Sequence, residues 1–192
     1  MRAIYGCFLL LMLPAGVSAQ PLTDAVWERP AAGVFLGRSG NRDRNSGESS
    51  PEAAFFFESP VILGHRLRAD VSRVSWRFTE HDSVGAAGVS DTVTLKSVRV
   101  SALKVVRTGS RAAGYAGGGY GLYRYEYALA PLQRPWRGGF HGVGGLEYIT
   151  TSQRYAIDGE VRLHAINGPG RSPVFSVVLF KVDAALGVKM RF

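Results

Sequence analysis

VFSVVLFKVDAALGVKMRF, residues Val174 to Phe192, decides the fold. Val174, Val178, Phe180, Val182, Ala184, Leu186, Val188, Met190 and Phe192 share one parity, and Lys181, Asp183, Lys189 and Arg191 share the other. Side chains of a β-strand point alternately to opposite faces, so this segment reads as a strand with one apolar wall and one charged wall. Strands of soluble domains usually run about 5 to 6 residues, whereas a tilted strand crossing a bilayer needs roughly 9 to 11. The length therefore predicts a strand of a membrane barrel.

The other end of the chain agrees with an exported destination. Arg2 precedes the apolar run Phe8 to Leu13, Pro14 breaks it, and Val17-Ser18-Ala19 supplies a small-x-small cleavage pattern, so residues 1–19 read as a cleavable signal peptide. The apolar run is too short for a spanning helix. Residues 20–30, which lack a clear period, read as a periplasmic tail, and residues 31–192 as the barrel.

Composition narrows the chemistry further. The one cysteine, Cys7, falls inside the leader, so the mature chain has no thiol for disulfides, nucleophilic catalysis or metal binding. The formal charge of +8 becomes +7 once Arg2 leaves. A basic chain can signal nucleic acid, but an exported one meets anionic lipopolysaccharide phosphates instead.

Eight strand-like stretches follow: Ala32 to Arg38, Ala54 to Leu63, Val71 to Glu80, Thr92 to Val106, Ala113 to Tyr127, Gly138 to Thr150, Arg154 to Ile166 and Val174 to Phe192. The seventh alternates most cleanly, with Tyr155, Ile157, Gly159, Val161, Leu163 and Ala165 on one file and Arg154, Asp158, Glu160, Arg162 and His164 on the other. Longer connectors, such as Ser39 to Ala53 and Asn167 to Pro173, alternate with short ones, such as Arg107 to Ser110 and Thr151 to Gln153. Even strand number and alternating loop length predict an all-β fold, an eight-stranded antiparallel up-and-down transmembrane β-barrel. Aromatic side chains on the third, fifth and sixth stretches, among them Trp76, Tyr115, Tyr123, Tyr125, Phe140 and Tyr148, fit the girdles expected at the two membrane interfaces.

Two places depart from the pattern. Phe55-Phe56-Phe57 and Pro60 interrupt alternation in the second stretch. The fourth slips phase between Val93-Thr94-Leu95 and Val98-Arg99-Val100, which predicts a bulge. The glycine runs Gly117 to Gly121 and Gly142 to Gly145 lack the Lys-Ser/Thr ending of a phosphate loop and read as relief of crowding in a narrow lumen.

With Leu186-Gly187-Val188-Lys189-Met190-Arg191-Phe192 at the end of eight amphipathic strands, the chain resembles the small OmpA-like and opacity-like outer-membrane barrels. The resemblance implies residence in the bacterial outer membrane and a non-enzymatic, porin-like surface scaffold of the cell envelope. It also implies that Leu186, Val188, Met190 and Phe192 form the assembly signal read by the outer-membrane insertion machinery. Implied partners are outer-membrane lipid, lipopolysaccharide and proteins or host molecules at the outward loops.

A barrel of eight strands is just wide enough for side chains to fill. Parity assigns Arg73, Arg77, Arg124, Glu126, Glu147, Asp158, Glu160, Arg162, Lys181, Asp183, Lys189 and Arg191 to its lumen. Both signs are present, so these residues are expected to pair as a plug.

Two alternatives remain at this stage. Some small outer-membrane barrels are lipid A deacylases with a His-x-Ser-Asn segment, and His164-Ala165-Ile166-Asn167 occupies a similar place. Ile166 stands where the serine nucleophile belongs, so His164 is only a weak catalytic candidate. A soluble periplasmic lipid carrier would instead place apolar residues in the lumen and charges outside. No histidine or carboxylate spacing matches a metal site, and no cofactor is implied.

Overall fold

A computed structural model describes residues 27–41, 49–80, 89–128, 136–167 and 178–192. The strands are β1 (Ala31–Asn41), β2 (Ser49–Glu58), β3 (His65–Glu80), β4 (Val89–Arg107), β5 (Ala112–Tyr127), β6 (Arg137–Ile149), β7 (Tyr155–Asn167) and β8 (Val178–Arg191). They pair in chain order as one closed antiparallel barrel. Closure comes from β1 meeting β8, with Ala31 opposite Arg191 and Asn41 opposite Lys181. A closed sheet satisfies every strand's hydrogen-bonding groups without an edge, as a spanning sheet in lipid requires.

The apolar file faces outward. Val34, Leu36, Phe55, Phe57, Val98, Val161, Leu163, Phe180, Leu186 and Val188 are all exposed on the barrel's outer wall. From Phe180 to Met190 the file covers about ten steps, or ~33 Å of strand, and a tilt near 40° reduces this to ~25 Å of height. That is about the height of the apolar band of a membrane barrel. The reverse arrangement required of a soluble lipid carrier, with an apolar lumen and a charged wall, is not the one adopted.

Inside, the lumen is layered. Trp27, Val61, Leu103, Val105, Tyr115, Val143 and Ile149 form an apolar cluster at the end where β1 begins and β8 finishes. Val74, Trp76, Val93, Leu95, Tyr123, Tyr125 and Ile166 form another at the opposite end. Charged residues, with the buried Phe35 and Phe56 against Arg68, fill the space between.

This layering corrects several sequence expectations. Val93 and Leu95 point inward into an apolar layer while Val98 and Val100 point outward, so β4 shows no bulge: its register runs unbroken from Val93 opposite Tyr127 to Arg107 opposite Ala113. Trp76, Tyr115, Tyr123 and Tyr125 are lumen residues rather than girdle residues, whereas Tyr120, Phe140, Tyr148 and Tyr155 face outward. β2 starts and ends earlier than expected, leaving Pro60 beyond it with no ladder bond to lose. Phe56 turns inward onto Phe35, ring centroids 4.5 Å apart, and its neighbours Phe55 and Phe57 turn outward.

The turn before β3 is tighter than the gap of Gly64 to Asp70 between the second and third stretches read from sequence. Leu63 and Gly64 both take positive φ, 52° and 76°, between the paired Ile62 and His65. This two-residue turn frees Arg66, Arg68 and Asp70 for the strand. Of the expected tail, residues 20–26 lie outside the described residues, and Trp27 is buried in the lumen's terminal layer, where its carbonyl accepts from the Val61 amide at 3.2 Å.

Candidate functional site

The middle layer of the lumen is an alternating chain of buried ions. Arg191 donates to Glu147, which also accepts from Arg66 at 2.8 Å. Arg66 reaches Glu58 at 2.8 Å, and Glu58 accepts further bonds from Arg68 at 2.5 Å and Lys189 at 2.8 Å. Arg68 donates to Glu160, which pairs with Arg162 at 2.5 Å. Arg162 reaches Asp70 at 3.0 Å, and Asp70 accepts from Arg99 at 2.5 Å. Glu52 lies 3.5 Å from Arg99 and 2.7 Å from Lys181, and Lys181 donates to Asp183 at 2.8 Å.

Among the described residues the buried ions balance. Arg66, Arg68, Arg99, Arg162, Lys181, Lys189 and Arg191 supply seven positive charges, and Glu52, Glu58, Asp70, Glu147, Asp158, Glu160 and Asp183 supply seven negative ones. Charges withdrawn from water need such pairing and hydrogen bonding. The space beside Arg99 and Arg162 is about 20 Å³, room for roughly one water molecule. Because these buried ions cancel, they contribute nothing to the formal charge of +8.

β5 makes room for this chain by carrying no bulk at its inward middle positions. Gly117, Gly119 and Gly121 sit between the inward Tyr115 and Tyr123. A Cβ on Gly119 would collide with the Val100 carbonyl, and one on Gly117 with the Ala102 carbonyl. Glycine is thus required by the close approach of β4.

Of the residues assigned to the lumen from parity, Glu147, Asp158, Glu160, Arg162, Lys181, Asp183, Lys189 and Arg191 lie there, all buried. Arg73, Arg124 and Glu126 do not: they project from the outer wall, because the inward neighbours are Ser72, Val74, Tyr123 and Tyr125. Assigning every charge to the lumen failed where the lumen itself turns apolar. The side chain of Arg77 lies outside the described residues. Glu52, Glu58, Arg66, Arg68, Asp70 and Arg99 belong to the lumen and were missed. For Arg66, Arg68 and Asp70 the signal is Arg66-Leu67-Arg68-Ala69-Asp70-Val71, which alternates as cleanly as β7.

His164 lies in the lumen, with both ring nitrogens engaged. Nδ1 lies 3.0 Å from the Tyr123 hydroxyl, and Nε2 lies 2.6 Å from Asp183 Oδ2. Glu160 turns to Arg68, Arg162 and Tyr115 rather than to His164. On the adjoining strand His141 Nε2 meets the Ser101 hydroxyl at 2.8 Å, also inside the barrel. Lipid acyl chains outside the wall reach none of these atoms. Among the described residues no group of His, Cys, Asp and Glu is placed to hold a metal ion.

Leu186, Val188, Met190 and Phe192 face outward along the final strand. Arg191 between them faces inward, its guanidinium 5.0 Å over the Trp27 ring.

No family model matches the sequence, and no curated protein matches it. Solved structures do match the fold. Neisserial surface protein A superposes with a TM-score of 0.62 at 17% identity, over 85% of this chain and 96% of its own. OprG of Pseudomonas aeruginosa gives 0.55 at 12% identity, over 88% and 99%. Ail, the attachment invasion locus protein of Yersinia pestis, gives 0.53 at 13% identity, over 85% and 97%. The chain has the fold of the small eight-stranded outer-membrane β-barrels.

Proposed function

We propose that this protein is a non-enzymatic outer-membrane scaffold, a plugged barrel that holds its outward loops at the cell surface. The observation that carries the reading is the balanced lumen: among the described residues, seven buried cations against seven buried anions inside an apolar outer wall. A filled, paired interior leaves no water-lined path of the kind a porin needs. The leader delivers the chain to the periplasm, the insertion machinery reads the terminal strand through Phe192, and the positive charge outside the lumen favours an anionic lipid leaflet. Partners for the outward loops are proteins or host molecules.

His164 gives the hydrolase reading little support, since it sits inside the wall between Tyr123 and Asp183. The test is to express the full chain, isolate outer membranes, and compare boiled with unboiled samples on a detergent gel. A membrane-integrated band that shifts on boiling, silent in planar bilayers and leaving lipid A acyl chains intact, is expected. A soluble periplasmic protein without a shift overturns the scaffold, stable conductance steps overturn the plug, and acyl loss abolished by His164→Asn restores the enzyme.

A further inference from the structure

Three cations lie side by side on the outer wall. Arg73 on β3 is paired in register with Lys96 on β4, and Lys96 with Arg124 on β5. Strands stand about 4.8 Å apart, so the row is roughly 10 Å long. All three point away from the lumen, since their neighbours Ser72, Val74, Leu95, Ser97, Tyr123 and Tyr125 are the buried ones.

The row marks a boundary. Val71, Val98 and Leu122, each two residues nearer the terminal end of its strand, are exposed apolar side chains of the membrane band. Arg73, Lys96 and Arg124 are therefore at the outward rim of that band, where hydrocarbon gives way to headgroups.

Among the described residues these charges are neutralised only in part. Among the described residues Glu126 is the one carboxylate in contact, 2.9 Å from Lys96 and 3.7 Å from Arg124. Arg73 has no carboxylate partner among the described residues, so the cluster carries a net charge of about +2 at the rim of a lipid-facing wall.

Beneath the row is a complementary surface. A groove of about 610 Å³ is lined by Val34, Leu36, Phe55, Val71 and Val98, with Arg73, Lys96 and Trp136 also along it. An apolar groove below a ledge with a net excess of positive charge fits a molecule with acyl chains at one end and negative charge at the other. We infer that this ledge and groove form a binding site for a phosphorylated lipid, the phosphates on Arg73, Lys96 and Arg124 and an acyl chain in the groove. The occupant is the phosphorylated glycolipid of the outer leaflet. The inference rests on the outer-membrane reading above and assigns that membrane's lipid a defined seat on the barrel.

The test uses the full chain purified in detergent from outer membranes, with binding read by native mass spectrometry. Probes are lipid A with its phosphates, the same lipid A after phosphatase treatment, and inorganic phosphate. Phosphorylated lipid A is expected to bind, the dephosphorylated form far less, and inorganic phosphate not to displace it at equal concentration. The triple variant R73Q/K96Q/R124Q is expected to weaken lipid A binding on the order of a hundredfold, from about fivefold per surface cation. Arg111→Gln and Arg154→Gln, at the opposite end, should bind as the unaltered protein does.

If the triple variant still shifts on boiling but keeps full affinity, the site is wrong and the scaffold stands. If the unaltered protein gives no heat-shifting membrane band, both fall. Equal competition by inorganic phosphate overturns the lipid as occupant.

Discussion

Lys181 and Glu52 meet at 2.7 Å across the lumen, tying β8 to β2 past the intervening β1. Both side chains are buried, so removing one leaves the other's charge under-paired in a poorly solvated interior, Glu52 with Arg99 at 3.5 Å or Lys181 with Asp183 at 2.8 Å. Lys181→Met is expected to destabilise the barrel by ~3–5 kcal/mol. Adding Glu52→Leu should recover part of that loss, because Arg99 and Asp183, which the pair leaves behind, already lie 3.8 Å apart and can neutralise each other. The check is the temperature at which the unboiled gel form is lost. A double variant whose loss equals the sum of the two single losses would refute the coupling.

Gly119 should tolerate no side chain. Its inward Cβ would strike the Val100 carbonyl, with Ser101 Cα at 2.8 Å, and backbone of a paired strand cannot step aside without breaking the ladder. Gly119→Ala is expected to cost at least ~1–3 kcal/mol and to lower the refolded fraction in detergent. Gly142→Ala is the control, since its nearest atom outside its chain neighbours is the Gly117 carbonyl oxygen at 4.0 Å, and it should refold as well as the unaltered chain. Equal yields from the two variants would remove close strand approach as the reason for glycine in β5.

The closed barrel was legible because the wall obeys one rule over most of its length: apolar residues face lipid. β6, β7 and β8 follow it throughout, and there the parity of Glu147, Asp158, Arg162 and Lys189 sufficed to place them in the lumen. The inner face obeys no single rule. It is charged at mid-height and apolar at both ends, so Tyr123 and Tyr125 turn inward and push Arg124 and Glu126 outside, the reverse of their mid-barrel equivalents. The phase slip in β4 has the same origin. Arg66, Arg68 and Asp70 were hidden for a different reason: a turn of only Leu63 and Gly64 lets β3 begin earlier than a longer loop would allow. The cation row became visible only when register set Arg73, Lys96 and Arg124 side by side, since these positions are far apart in the chain.

Phe192 follows the last residue of β8, its amide donating to the Pro30 carbonyl at 3.2 Å and its ring turned outward, 54% exposed. Ile157 on the neighbouring β7 is outward and about equally exposed, at 51%. Replacing either by alanine removes a similar contact with lipid, at a cost of ~1–3 kcal/mol. Only Phe192, however, belongs to the terminal pattern proposed to be read during insertion. Phe192→Ala and Ile157→Ala are therefore expected to refold alike in detergent and to lose the unboiled gel form at similar temperatures. In cells they should part: Ile157→Ala reaches the outer membrane at nearly the normal level, while Phe192→Ala accumulates in the periplasm or is degraded. Quantifying the heat-shifting band in isolated outer membranes separates a contribution to stability from a contribution to assembly. Equal outer-membrane levels of the two variants would show that the terminal aromatic acts as one more lipid contact and carries no signal.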